Sequence, residues 1–407
     1  MTDNAPPPSA LPGGRRALPG DFSSGVTATG RRARRGPGHA ITIALIVALV
    51  VAVGVGLVQV TASSAYDDSR AAYDAASTQE RSSAARLDAA QKEADALVPV
   101  ASRVGASGDE ALVTSEERVS VNDASARVTE LRAEAGRLRP SPTADTGARP
   151  LVPWELAAEA ARLDHEAGAR EKNAQSIRDR GDALKAAVEA LRMSVSSAVI
   201  TVSERATTLE ARFVSARTGD VIALRKAAAA LARSATEVGQ DTATAFTSLE
   251  SAVARVRVSH EAELAEKAGP LMPTRLEIED FARSIAGGVL LDFDWAPVVN
   301  GFGGADGIGG LTSWNAGDGA GGFATITLSN SVAEIWPADS SRALVVHEVG
   351  HAISAKCHAL FDWKDRAANE SWATAWAIGK GETEDANGVW LYGHPPQTLV
   401  DTAATCR

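Results

Sequence analysis

Residues 342–354 read Arg-Ala-Leu-Val-Val-His-Glu-Val-Gly-His-Ala-Ile-Ser, and the apolar residues around the polar core indicate a buried helix. His347 and His351 are four positions apart, so both imidazoles project from one helix face and can reach one metal ion. Glu348 is rotated by about 100° from His347, which places it beside such an ion. A carboxylate there can take a proton from a water molecule that zinc has acidified and pass it to a leaving amine. The pattern is therefore typical of a catalytic zinc site.

A competing interpretation treats His347 and His351 as core residues whose ring nitrogens bond backbone carbonyls. That interpretation leaves Glu348 beside them without a purpose. With seven histidines in 407 residues, the pattern is also rare by chance. We therefore favour the metal site.

A third ligand is expected further along the chain, because a catalytic zinc ion has three protein ligands and one open position. The candidate is Glu370, in the segment 367–377, which reads Ala-Ala-Asn-Glu-Ser-Trp-Ala-Thr-Ala-Trp-Ala. Two antiparallel helices joined by about ten residues would place it opposite the histidines. The alternative for Glu370 is an ordinary solvated glutamate on a helix.

These two segments resemble the gluzincin zinc metallopeptidases, which combine His-Glu-x-x-His with a Glu from the next helix. Thermolysin-like members have Asn-Glu at nearly this distance. The minimal zincin domains of the ImmA/IrrE type have Glu-x-x-Ala-x-x-aromatic-Ala, which this chain matches at Glu370, Ala373, Trp376 and Ala377. The resemblance covers residues 271–407 at most. It implies a Zn²⁺ cofactor and a peptide or protein substrate.

The sequence departs from the gluzincin pattern at Thr374, where many members have an Asp that orients a zinc-bound His. Asp365 and a backbone carbonyl are the two candidates for the group that orients the histidine instead. The resemblance also implies an oxyanion-stabilising Tyr or His beyond the third ligand, for which Tyr392 and His394 are the candidates; each has a packed surface residue as its alternative. The cleft edge that pairs with substrate is expected at Phe323–Leu328.

The region from residue 270 to 407 is predicted to be an α+β zincin-like domain, because short strands precede two helices. Residues 301–322 are rich in glycine and are interpreted as a flexible loop beside the cleft. The predicted elements are a helix at Thr274–Ile285, strands at Val289–Phe293 and Phe323–Leu328, and helices at Asp339–Lys356 and Arg366–Ile378.

Cys357 and Cys406 are the only two cysteines, and both lie in the region 270–407. Outside the membrane thiols tend to be oxidised, so a disulfide between them is predicted. Two free buried thiols are the alternative.

Residues 40–60 are predicted to form one transmembrane helix, because Ala40–Val58 is apolar except for Thr42 and about 20 such residues span a bilayer. A cleaved signal peptide is the alternative, with Ala62-Ser63-Ser64-Ala65 as its cleavage region. Residues 1–39 are interpreted as a disordered basic tail, and their clustered arginines indicate a cytoplasmic N-terminus. Everything beyond residue 61 is then expected outside the cytoplasm.

Residues 61–269 are predicted to form an all-α coiled-coil stalk with interruptions near Val98–Gly108, Arg139–Pro153 and Ala216–Asp220. Its seam needs a partner helix, from this chain or from a second copy. A spacer is favoured over a sensor. The apolar positions recur at intervals of seven and four, at Leu184, Leu191, Val195, Val202, Leu209, Phe213, Val221, Leu224, Ala228, Leu231 and Val238.

The formal net charge of −10 argues against nucleic acid as a partner, because phosphate binding needs a surplus of basic residues. Abundant Ala, Gly and Arg indicate a GC-rich bacterial genome. The expected function is zinc-dependent peptide-bond hydrolysis outside the membrane of a bacterial cell envelope. The alternatives are a degenerate zincin that serves as a binding or structural module, and a purely mechanical coiled-coil protein.

Overall fold

The computed structural model describes residues 37–143, 147–317 and 322–407. This part of the chain is mostly helical and carries a small mixed sheet near its C-terminus. Two compact units divide it. One holds the described residues up to Asp68 together with Ala148–Ala161, and the other holds Ser69–Gly147 and Arg162–Arg407. The predicted tail, residues 1–39, lies outside the described residues except for its last three.

The first helix, α1 (Pro37–Gly105), contains the predicted membrane span. From Ile41 to Val58 its residues are exposed, which is unusual for an apolar surface that faces water. A second helix, α3 (Pro153–Arg212), also has the length and composition to cross a membrane, but one third of its most apolar stretch is buried within the protein. Two helices are thus candidates for membrane association.

The helical region continues from α1 through four further helices, and its apolar side chains form one buried cluster. The breaks predicted near residues 98–108, 139–153 and 216–220 are present, whereas a break before Gly239 was not predicted. The seam positions between Leu184 and Leu231 belong to this cluster together with side chains of α1, α2 and α5. The helices after α1 are α2 (Ser115–Ala135), α3 (Pro153–Arg212), α4 (Thr218–Ser234) and α5 (Gln240–Glu266).

The C-terminal region alternates helices and strands around a second buried cluster. Each predicted helix and strand is present, with bounds that shift by a few residues. The predicted helix 339–356 is divided after Ala352 into α8 and the short α9. The elements are α6 (Met272–Ile285), β1 (Leu290–Ala296), β2 (Gly310–Asn315), β3 (Phe323–Ser329), α7 (Asn330–Ile335), α8 (Asp339–Ala352), α9 (Ser354–Cys357), α10 (Arg366–Gly379), α11 (Val389–Tyr392) and α12 (Gln397–Ala403).

The sheet has the strand order β1-β3-β2, with β1 parallel and β2 antiparallel to β3. The expectation that Phe323–Leu328 forms the free edge is wrong, because these residues belong to the central strand β3. The free edge beside α8 is β2, within the stretch that was interpreted as a loop. Its alternation of half-buried and exposed residues is only six residues long and is flanked by glycines, which conceals it in the sequence.

Polar contacts fasten the sheet to the helical region. The backbone amide of Thr218, the first residue of α4, donates to Asp292 Oδ1 on β1 at 2.7 Å. Arg217 Nη1 lies 2.8 Å from Asp294 Oδ1 on the same strand. The start of α4 is therefore tied to β1 at two positions.

Candidate metal centre

Helices α8 and α10 approach closely at Gly350, the residue before His351. A Cβ atom on Gly350 would lie 2.7 Å from the backbone oxygen of Ala373. Such a distance is too short for carbon and oxygen, so this glycine is required for the close approach. The approach brings α10, which carries Glu370, against the face of α8 that carries the two histidines.

His347, His351 and Glu370 converge at this contact. Their ligand atoms all lie within 4.8 Å of one another. Glu370 Oε2 is 3.5 Å from His347 Nε2 and 3.1 Å from His351 Nε2. Ligands bound to zinc at roughly 2.0–2.2 Å in a tetrahedron are about 3.3–3.6 Å apart. The three residues therefore fit a divalent metal with nitrogen and oxygen ligands, and zinc is such an ion.

The ring nitrogens that face away from this cluster have acceptors. His347 Nδ1 lies 2.8 Å from the backbone oxygen of Asn387, and His351 Nδ1 lies 3.0 Å from Asn369 Oδ1. A carbonyl oxygen only accepts, so Nδ1 carries a proton on each ring, and Nε2, which faces Glu370, is the nitrogen that becomes available to a metal once it has lost its own proton. Asp365 has a different role from the one considered, since its Oδ1 accepts the amide of Ala367 and caps α10.

Thr374 packs against the segment that supplies the Asn387 carbonyl. Gly388 follows Asn387 with a φ of 103°, and a Cβ there would lie 2.3 Å from Thr374 Oγ1 and 2.7 Å from His347 Cε1. The Thr374 hydroxyl donates to the backbone oxygen of Glu370 at 2.9 Å. Of the two candidates for the group that orients His347, the backbone carbonyl is the one in contact with its ring.

Replacing Gly388 by Ala is expected to displace the Asn387 carbonyl from His347 and to weaken metal binding by roughly 10–100-fold, as loss of an orienting partner does elsewhere. The positive φ adds strain for any residue with a Cβ. Competition with a fluorescent chelator measures the affinity. Gly393→Ala is the matched control, because Gly393 also has a positive φ but open space around it. Equal metal affinity in both variants would contradict the role assigned to Gly388.

The carboxylates and histidines of this cluster influence each other's protonation. Burial lowers the pKa of His351, but hydrogen bonding to Glu370 and the charges of Glu348 and Glu370 raise it above its ordinary value. Burial raises the pKa of Glu370, but the bonds from His347 and His351 hold it far below its ordinary value. Glu370 is therefore anionic at neutral pH, as a metal ligand would need to be.

Glu348 lies beside the three ligand residues and is held by the edge strand. The Thr312 hydroxyl donates to Glu348 Oε2 at 2.7 Å and lies 3.1 Å from the Glu348 backbone oxygen. Gly310, at the start of β2, leaves room for the carboxylate, because a Cβ there would lie 2.3 Å from Glu348 Oε1. The carboxylate is thus oriented by β2 and does not depend on the metal ligands for its position.

A cavity of about 300 Å³ opens onto the cluster, and β2, the metal-site side chains and the start of α10 line it. Tyr392 is part of this lining, with its ring parallel to that of His347 and the centroids 6.1 Å apart. Burial, followed by the nearby Glu370, raises the pKa of Tyr392 to about 12, so the hydroxyl keeps its proton at neutral pH. His394 is exposed and is not among the lining residues of this cavity.

Cys357 and Cys406 form a disulfide, with their Cα atoms 6.2 Å apart. The bond joins the residues that follow α8 to those that follow α12. Trp376 on α10 donates its ring N–H to the backbone oxygen of Cys406 at 3.2 Å. The C-terminal residues are therefore fastened to α9, which directly follows α8, and to α10.

Several side chains around the site were not identified from the sequence, namely Thr312, Asn369, Lys364 and Arg366. Asn369 had a local signal, since it precedes Glu370 in the Asn-Glu pair. Arg366 lies one helical turn before Glu370 on α10, whereas Thr312 and Lys364 reach the site only through the tertiary fold. Comparisons with protein-family models, with curated proteins and with solved structures found no match to this chain.

Proposed function

We propose that this chain is a membrane-anchored, zinc-dependent peptidase of the gluzincin type that acts outside the cytoplasm. The observation that carries the proposal is the arrangement of His347, His351 and Glu370 within 4.8 Å, with Glu348 beside them in one cavity. Three ligand residues that line a cavity would suit a catalytic zinc site, which has three protein ligands and keeps one position for water or substrate. A structural zinc site would have its four positions filled by protein.

Zinc bound to these ligands would supply Lewis acidity, which polarises a substrate carbonyl and acidifies a water molecule. Glu348 is the general base, since its carboxylate faces the cavity and Thr312 fixes its orientation through Oε2. It takes the proton of the attacking water and then donates it to the leaving amine. Tyr392 is protonated and close to the ligands, and it donates a hydrogen bond to the oxyanion that develops.

The edge strand β2 is proposed to hold an extended substrate. Among the described residues, β2 is paired along one edge only, with β3, and its residues Leu311, Thr312 and Trp314 line the cavity. A peptide that adds to this edge gains main-chain hydrogen bonds, and its alternate side chains face the site. The backbone of the substrate is thereby presented to Glu348 and the metal.

Anchoring by α1 is supported by the exposure of its apolar residues. In the same compact unit, Leu151 and Trp154 are 84% and 72% exposed, and Trp154 lines an apolar groove with Val51 and Val55 of α1. Exposed Trp beside an apolar span is typical of a membrane interface. The apolar face of α3 packs into the helical core instead, which favours a single crossing by α1. The arginine-rich tail, by the positive-inside rule, supports a metal centre outside the cytoplasm.

The disposition across the membrane is expected to appear in a protease-accessibility experiment. A protease added to intact cells should remove the C-terminal region and leave an N-terminal tag protected, because the clustered arginines keep the tail inside. Immunoblotting against tags at both ends reads the result, and lysed cells are the control in which both tags are lost. Protection of the C-terminal tag in intact cells would reverse the assigned orientation.

The zinc dependence is expected to appear in the purified full-length chain in detergent. Metal analysis should give one zinc ion per chain. Prolonged chelation should abolish hydrolysis of a mixed peptide library, and added zinc should restore it because the ligands are preorganised by α8 and α10. Mass spectrometry of the library reads the cleavage. Bound zinc without any cleavage would favour a degenerate zincin that binds a partner, and the absence of bound metal would refute the centre.

A further inference from the structure

We propose that the cavity beside the metal centre binds a carboxylate of the substrate. The preferred peptides then carry either a free C-terminal carboxylate or an Asp or Glu side chain within about two residues of the scissile bond. This inference rests on the proposed peptidase function and names the substrate class of the same site.

Two cationic side chains line the cavity, Lys364 and Arg366, on either side of the N-cap of α10. Both are exposed. Among the described residues, neither has a carboxylate within 4.0 Å. Most of the described arginines of α8 and the preceding helices have such a partner, as Arg342 does with Glu382 at 2.9 Å. Among the described residues, these two cavity-lining cations therefore have no carboxylate counter-ion.

The acidic residues of the same segment accept hydrogen bonds from backbone amides. Asp362 Oδ1 accepts the amide of Lys364 at 3.3 Å, and Asp365 Oδ1 accepts the amide of Ala367 at 3.0 Å. Neither aspartate lines the cavity. The turn therefore separates its charges, with the carboxylates bonded to main-chain amides and the two cations facing the cavity.

The two carboxylates that line the cavity also have hydrogen-bond partners. Glu370 faces the ring nitrogens of both histidines, and Glu348 accepts the hydroxyl of Thr312. Neither lies within ion-pair distance of Arg366 or Lys364. An incoming anion consequently meets the two cations rather than an existing ion pair.

The spacing along α10 sets where the carboxylate must be. Arg366 lies one helical turn before Glu370, about 6 Å along the axis. An extended peptide advances about 3.3 Å per residue. A guanidinium at that distance from the metal ligands reaches a carboxylate one or two residues from the scissile carbonyl. Its planar fork suits two parallel hydrogen bonds to a carboxylate.

An aromatic wall strengthens this contact. Trp314 and Trp363 both line the cavity, and their rings meet edge to face with centroids 5.6 Å apart. The ammonium group of Lys364 lies 5.5 Å from the centroid of the Trp363 ring. A cation over an aromatic ring is attracted by the negative face of the ring, so Lys364 is held at this wall.

The test uses the zinc-loaded full-length chain in detergent and quenched-fluorescence peptides taken from a sequence that it cleaves. One pair of peptides differs only by Glu against Gln beside the scissile bond, and another only by a C-terminal acid against an amide. The ratio of kcat/KM within each pair is measured at low and high salt. The pair that shows the larger ratio identifies the source of the carboxylate.

In one pair we expect kcat/KM to be about tenfold higher for the acidic peptide, which corresponds to the contribution of one charge-assisted hydrogen bond. This ratio should be smaller at high salt. Arg366→Gln should bring that ratio close to one, Arg366→Lys should leave an intermediate value, and Lys364→Gln should lower it in part. Lys380→Gln is the matched control, because Lys380 ends the same helix away from the cavity, and its ratio should equal that of the unaltered chain.

Ratios near one in both pairs, or a ratio that survives Arg366→Gln and Lys364→Gln together, would overturn the inference while leaving the peptidase intact. The same peptides are titrated against the Glu348→Gln variant by tryptophan fluorescence. If the unaltered chain cleaves nothing but this variant binds the acidic peptide about tenfold more tightly than the neutral one, the proposed hydrolysis fails and the carboxylate site stands.

Discussion

Replacing Glu348 by Gln should leave one zinc ion per chain and lower kcat by roughly 10²–10⁴-fold, the range typical for loss of a general base. Glu348 is separate from the group formed by His347, His351 and Glu370, so the ligands are untouched. The amide oxygen of Gln still accepts the Thr312 hydroxyl, so the side chain keeps its position. The proton acceptor alone is removed. Metal content and single-turnover cleavage of a library-derived peptide provide the two measurements.

Alanine at any of the three ligand positions should give the complementary result. His347→Ala, His351→Ala and Glu370→Ala each remove a side chain that binds the metal directly. Zinc affinity should therefore fall by more than the roughly 10–100-fold that follows loss of an orienting group. Glu384→Gln is the control for charge removal, since Glu384 is exposed and outside the cavity. Unchanged zinc affinity in Glu370→Ala would show that another residue is the third ligand and would refute the gluzincin assignment.

The sequence predicts well what depends on short spacing. The intervals that define α8 and α10 are local, so the helices, the two histidines and Glu370 follow from periodicity and from the polar residues within it. Thr312 is different, because it meets Glu348 only when β2 pairs with β3 and lies along α8. The Asn387 carbonyl has no side-chain signal at all. Its role became visible only from the contact with His347.

The errors have related causes. Strand β2 was interpreted as loop because Gly309 and Gly310 precede a short alternation, and glycine next to a strand usually indicates a turn. In fact Gly310 is needed because the carboxylate of Glu348 occupies the space of its Cβ. The break between α4 and α5 was missed because residues 235–239 contain one glycine and no proline. A glycine that is required by tertiary packing is thus easily mistaken for a glycine that marks a turn.

Loss of the disulfide is expected to have the largest effect on stability. The bond between Cys357 and Cys406 closes a loop with a sequence separation of 49 residues. In the chain-entropy model such a loop stabilises the folded state by about 4 kcal/mol. The loop contains all of α10, so the helix that carries Glu370 is inside the covalently closed segment. Both the unfolding temperature and the retention of zinc should therefore fall after reduction.

The contacts at the C-terminus explain why reduction should lower both the unfolding temperature and the retention of zinc. Lys356 Nζ lies 2.7 Å from the backbone oxygen of Arg407, and Trp376 donates to the backbone oxygen of Cys406. Without the covalent bond, these contacts and the burial of Val400 and Ala403 in the core must hold the last residues of the chain. The double variant Cys357→Ser with Cys406→Ser should unfold at a lower temperature than the unaltered chain, and a reducing agent should then have no further effect on it. Two reactive thiols in the denatured, unreduced chain would contradict the bond, and equal unfolding temperatures with and without reductant would contradict its contribution to stability.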